Sequence, residues 1–220
     1  MSAAMALPDL RIGTLHAAYA GGLRPDAVLA RIAAREGAVA DPGIWLHRAA
    51  AADLARQAAA LPHFDALRFP LWGIPVAVKD NIDVAGMPTS AACPTYARIA
   101  QADAPAVARL RAAGALILGK TNLDQFATGL VGTRTPHPVP RNACAPDRVP
   151  GGSSSGSAVA VAQGLASLAL GTDTAGSGRV PAALNGIVGL KPSIGAIPTL
   201  GVVPACPSLD CVSVFALSVE

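Results

Sequence analysis

The sequence predicts an α/β fold on three observations. Short apolar runs bounded by glycine and proline, such as Ile74-Pro75-Val76-Ala77-Val78 and Ala115-Leu116-Ile117-Leu118, read as buried strands. Residues 104–113, between those runs, alternate apolar and basic residues at helical spacing, and strand, helix, strand is the pattern of a sheet covered by helices. The 220 residues are 52% hydrophobic and only 14% charged, which is enough to bury a substantial core and excludes a disordered chain.

Residues 8–61 are predicted helical. Pro25 and Asp26 precede Ala27-Val28-Leu29-Ala30-Arg31-Ile32, which sets proline and an acid in a first helical turn. A second helical run is expected from about 44 to 60, where Leu46, Leu54 and Ala58 recur at helical spacing. Strand-like runs begin after Phe69. Residues 129–156, made of Gly, Pro, Arg and Ser, are expected to form a long loop. An alanine-rich helix over 157–170 and a glycine-rich loop over 171–178 should follow. Ile187-Val188-Gly189-Leu190 and Cys211-Val212-Ser213-Val214-Phe215 read as further strands. The chain stops at Glu220 without a capping or polar tail, so an end inside a domain is expected.

Composition excludes several classes. Aromatic residues make up 4%, so the hydrophobicity comes from small side chains. No apolar run reaches the roughly 18 residues of a spanning helix; the longest, over 158–170, is broken by Gln163, Gly164 and Ser167. No membrane is expected as a partner. Met1–Leu10 lacks a basic region and carries Asp9, so no secretory leader is read and a cytoplasmic location is expected. Cys93, Cys144, Cys206 and Cys211 lack CxxC spacing and are expected to be free thiols packed as small hydrophobes, with no metal site. The net charge of +3 is scattered rather than clustered, which excludes a nucleic-acid partner.

Two local patterns fail on context. Gly114-Ala115-Leu116-Ile117-Leu118-Gly119-Lys120-Thr121 fits the phosphate-loop expression, yet its middle is itself the expected strand and a helix precedes it. Gly152-Ser153-Ser154-Ser155-Gly156 fits the nucleophile-elbow expression. A proline-containing loop, not a strand, precedes it, and His16, His47, His63 and His137 all lie upstream instead of following the serine.

A larger constellation covers most of the chain. Gly73-Ile74-Pro75-Val76-Ala77-Val78-Lys79-Asp80-Asn81, Gly119-Lys120-Thr121-Asn122, Gly151-Gly152-Ser153-Ser154-Ser155-Gly156-Ser157, Gly171-Thr172-Asp173-Thr174-Ala175-Gly176-Ser177-Gly178-Arg179 and Gly189-Leu190-Lys191-Pro192-Ser193 occur in that order. Together they resemble the amidase signature family. Asp80–Thr89, Ala91-Ala92-Cys93-Pro94, Asn122–Arg134 and Pro204-Ala205-Cys206 are most similar to its allophanate-hydrolysing branch. The resemblance implies a mixed β-sheet covered by helices, present as its N-terminal half, with residues 1–65 as a helical lead and 66–220 as the core. An incomplete sheet would expose an edge and apolar surface.

Amide hydrolysis needs an activated nucleophile and preorganised donors for the oxyanion. With no suitably placed histidine, a lysine can act as base if burial lowers its pKa. Lys79 ends an apolar run and fits that demand. The resemblance implies Ser177 as nucleophile, Ser153 as proton relay on a cis peptide, and Lys79 as base. Main-chain N–H groups of Thr174, Ala175 and Gly176 are expected to form the oxyanion hole. Asp173 and Arg179 are read as braces rather than substrate ligands, Lys120 and Lys191 as structural, and Ser154, Ser155 and Ser157 as loop hydrogen bonders and a helix cap. The resemblance implies a small-molecule amide substrate, allophanate (urea-1-carboxylate), and needs no metal or organic cofactor. Another amidase, a glutaminase component of a transamidosome, an inactive fragment and a homodimer stay open.

Overall fold

The apolar runs assemble in a computed structural model that describes residues 9–219. Strands in chain order are β1 (Trp45–Arg48), β2 (Pro75–Lys79), β3 (Pro88–Thr89), β4 (Arg98–Ile99), β5 (Leu116–Thr121), β6 (Leu168–Asp173), β7 (Val188–Leu190) and β8 (Cys211–Ala216). Helices are α1 (Ile12–Ala20), α2 (Pro25–Val39), α3 (Ala51–Ala59), α4 (Pro105–Ala112), α5 (Ser155–Ala162) and α6 (Arg179–Leu184). Among the described residues one sheet has six strands in the order β1-β5-β2-β6-β8-β7, and β3 pairs with β4 separately. At its centre β2 runs parallel to β5 and β6, while β1, β8 and β7 add antiparallel pairs. The α/β reading holds, as does proline in the first turn of α2.

Strand alternation divides the core between two faces. Val76, Val78, Ile117, Leu168, Leu170 and Val212 cluster with Leu15 and Tyr19 of α1, Val28 and Ile32 of α2 and Val107 of α4. On the other face Ala77, Leu118, Ala169 and Phe215 pack with Ala158–Val161 of α5 and Ala182 of α6. On this face small side chains meet, Ala77 and Ala169 of the sheet against Ala158 and Ala160 of α5. Gly119 is needed in β5 because its φ is +152° and a Cβ there would lie 2.3 Å from the His47 carbonyl oxygen.

Three local expectations are corrected. The run over 44–60 is not one helix: Trp45–Arg48 pairs with β5, and only Ala51–Ala59 is helical. Four residues are too few to display strand alternation, so the periodicity of the following alanine-rich segment dominated the pattern. The helix expected over 157–170 starts at Ser155 and stops at Ala162, because Gly164 takes a left-handed φ of +66°. Leu168–Asp173 then forms a buried strand, so the loop expected from Gly171 begins only at Thr174. Residues 1–8 and Glu220, which bear on the readings of a missing leader and of an end inside a domain, lie outside the described residues. Among the described residues no helix is long and apolar enough to cross a membrane.

Candidate active site

The neighbouring parallel strands β2 and β6 end side by side, and the carboxyl ends of such strands are where α/β sheets place their sites. Lys79 is the last residue of β2, the Thr174–Gly178 loop leaves β6, and Gly152–Ser154 leads into α5. Lys79 and Ser153 are fully buried, and Ser177 is 4% exposed.

The structure brings two of the expected residues into direct contact. Lys79 Nζ is hydrogen-bonded at 2.8 Å to Ser153 Oγ and at 2.8 Å to Thr172 Oγ1. Burial lowers the Lys79 pKa to about 7, with Asp124, Asp173 and Asp210 opposing the shift. Asn81 Nδ2 donates to Thr172 Oγ1 at 3.2 Å, which holds the hydroxyl beside the lysine. The Gly152–Ser153 peptide is cis. A side chain at Gly152 is forbidden, since its Cβ would come 2.0 Å from Asp124 Oδ2. Asp124 in turn accepts the N–H groups of Gly132 at 3.0 Å and Arg134 at 2.7 Å, fastening the long loop over the site.

Ser177 sits beside this pair through its main chain, its carbonyl accepting the Ser154 N–H at 3.2 Å. Its hydroxyl donates to Gly129 O at 3.4 Å rather than to Ser153. The loop is braced from β6. Asp173 accepts the N–H groups of Gly176 (2.7 Å), Gly178 (3.0 Å) and Arg179 (3.1 Å), and takes Arg179 Nε and Nη2 at 3.0 and 3.1 Å. Burial works against the Asp173 carboxylate, but Arg179 and these N–H groups outweigh it and hold the pKa at about 2. Gly176 thus differs from the other two expected oxyanion donors, because its N–H is already engaged. Among the described residues the main-chain N–H groups of Thr174, Ala175 and Ser177 have no hydrogen-bond partner. A cleft of about 250 Å³ opens here, between Thr128–Leu130, the loop residues Thr174, Ala175 and Ser177, and Ala205–Cys206.

Other singled-out residues lie outside this cluster. Lys120 is buried and bound to Asp80 at 3.1 Å, Pro88 O and Thr89 Oγ1, inside a strand where no phosphate loop could form. Lys191 Nζ donates to Pro192 O at 3.0 Å. Ser154 Oγ donates to Thr172 O, and Ser157 Oγ binds Leu170 O and Thr121 Oγ1 from within α5, so Ser157 ties helix to sheet instead of capping. Cys211 is buried, but Cys144 is exposed and does not pack as a hydrophobe. Among the described residues no group of three His, Cys, Asp or Glu is placed to hold a metal ion. Sequence reasoning missed Thr172, Asp124, Gly129 and Asp210. Thr172 lies within the Gly171–Arg179 block, but β6 is buried at every position and shows no alternation that would single it out.

The family model described as Amidase matches residues 27–220, and the chain belongs to that family. It is 63% identical over 151 residues to a urea amidolyase of Saccharomyces cerevisiae, covering 69% of this chain and 8% of the relative. A component of the glutamyl-tRNA(Gln) amidotransferase of Symbiobacterium thermophilum is 54% identical over 152 residues, covering 69% of this chain and 31% of the relative. The solved allophanate hydrolase of Kluyveromyces lactis superposes with a TM-score of 0.84 at 47% identity, covering 94% of this chain and 34% of that one. The chain therefore spans about a third or less of the length of these relatives.

Proposed function

We propose that this chain carries the catalytic machinery of an amide hydrolase that works through an acyl-enzyme on Ser177, with Ser153 as relay and Lys79 as base. The observation that carries the reading is the 2.8 Å hydrogen bond between Lys79 Nζ and Ser153 Oγ in a pocket closed to solvent, one residue from the main-chain contact to Ser177. Neutral Lys79 accepts a proton from Ser153, and Ser153 accepts one from Ser177 after the Ser177 hydroxyl turns from Gly129 O. Ser177 then attacks the amide carbonyl. The N–H groups of Thr174 and Ala175 receive the oxyanion, while Gly176 serves the loop through Asp173. The proton returns to the leaving nitrogen as ammonia departs, and water resolves the ester by the same relay.

The substrate proposed is allophanate. Supporting it are the blocks around Asp80–Thr89 and Asn122–Arg134 and the similarity to a urea amidolyase and an allophanate hydrolase. A second reading, glutamine hydrolysis, is favoured by the similarity to the glutamyl-tRNA(Gln) amidotransferase component. Ammonia release from allophanate, glutamine and a panel of aliphatic amides, each beside Ser177→Ala, tests both. Release from allophanate alone, lost in the variant, is expected. Release from glutamine alone would replace the first reading with the second, and release from none would refute hydrolysis by this chain.

A further inference from the structure

Two buried aspartates divide the nucleophile loop between them, and only Asp173 has been given a role. Asp210 is 6% exposed and immediately precedes β8. Because Asp173 pairs with Cys211 in the antiparallel β6–β8 ladder, Thr174 and Asp210 are the next facing positions as the strands leave the sheet. The Asp210 carboxylate accepts the Thr174 hydroxyl, the Ala205 N–H at 3.0 Å and the Cys206 N–H at 3.1 Å. Thr174 and Ala175 form one wall of the cleft, and Ala205 and Cys206 line it as well. A single carboxylate therefore joins two cleft walls.

We propose that Asp210 is a positioning residue that, through the Thr174 hydroxyl, aims the Thr174 and Ala175 N–H groups at the oxyanion. This inference rests on the proposed acyl-enzyme reading and deepens it. Asp173 takes the N–H groups of Gly176, Gly178 and Arg179, leaving the earlier part of the loop without a main-chain anchor. The side-chain bond from Thr174 to Asp210 is the anchor for that part. Donors held in place before reaction stabilise a developing charge far better than donors that must be gathered, so a small displacement is costly. Without the Asp210 bond, the loop keeps its Asp173 half and Ser177 stays in place, but the oxyanion donors drift.

The test is the rate at which a fluorophosphonate probe, whose phosphoryl oxygen occupies the oxyanion position, modifies Ser177 in Thr174→Val and Thr174→Ser. Melting curves establish that both variants fold. Thr174→Val keeps the shape and removes the hydroxyl, and should lower the maximal modification rate by roughly tenfold or more without weakening initial probe binding. Thr174→Ser restores the hydroxyl and should return the rate to within about threefold of wild type. A wild-type rate in Thr174→Val overturns the inference, as does an equal loss in Thr174→Ser, since a merely packed threonine would behave in those ways. Wild-type protein that is not labelled at Ser177 overturns the acyl-enzyme reading itself, and the inference with it.

Discussion

If neutral Lys79 is the base, the rate of Ser177 modification must follow its deprotonation. Burial brings the Lys79 pKa down from 10.5 to about 7 while Asp124, Asp173 and Asp210 hold it up. Only the neutral amine can accept the Ser153 proton, so the rate should rise with pH and level off above the pKa. Half of the lysine is neutral at the pKa, about a tenth one unit below it, and about a hundredth two units below. A fluorophosphonate labelling series from roughly pH 5 to 9 should thus span on the order of a hundredfold, with its midpoint near 7. Asp173 cannot mimic this limb, because Arg179 and the loop N–H groups keep its pKa at about 2. Lys79→Met, which removes the base, should be slower by roughly 10²–10⁴ at the plateau and lose the limb. A flat wild-type profile, or a limb retained in Lys79→Met, would refute lysine as the base.

The same shift has a consequence for stability. The folded pKa lies below the unfolded one, so between about 7 and 10.5 the unfolded chain holds the extra proton and stability rises with pH. Relative to Lys79→Met, wild type should gain roughly 1 kcal/mol per pH unit in that window, read by urea denaturation at two pH values. Phe215→Ala, which empties the alanine-lined face of the sheet, should cost ~3–5 kcal/mol and lower Tm by on the order of 10 °C in a thermal melt. Asp80→Asn leaves Lys120 buried without its carboxylate and should cost ~3–5 kcal/mol by denaturant titration, whereas replacing both partners by apolar residues should cost less. Gly152→Ala should lose Ser177 labelling, because the new Cβ collides with the Asp124 carboxylate beneath Ser153.

What could be read from the sequence was local and dense. Lys79 closes a five-residue buried run, and its contact with Ser153 joins two separate glycine-flanked blocks that the sequence marks independently. The α/β layers were equally legible, because β2 and β5 stand between glycines and prolines with a basic-faced helix between them. Strand β6 was hidden: Leu168-Ala169-Leu170 resumes the apolar composition of the preceding alanine-rich helix, with Gln163, Gly164 and Ser167 as the interruptions between them. β1 was too short to show its period. Thr172 and Asp210 acquire meaning from which strands lie side by side and in what register, and no run of neighbouring residues encodes that. Likewise Gly176 carries a free donor in any sequence reading, and loses it only once the Asp173 carboxylate folds back onto it.

The proposed reaction turns on Ser177 becoming covalently acylated. Its most direct test is mass-spectrometric mapping of fluorophosphonate-labelled wild type beside Ser177→Ala. Label confined to the peptide containing Ser177, and absent from the variant, is the predicted result. Equal labelling of the variant, or label on Ser153 in its place, would contradict the account.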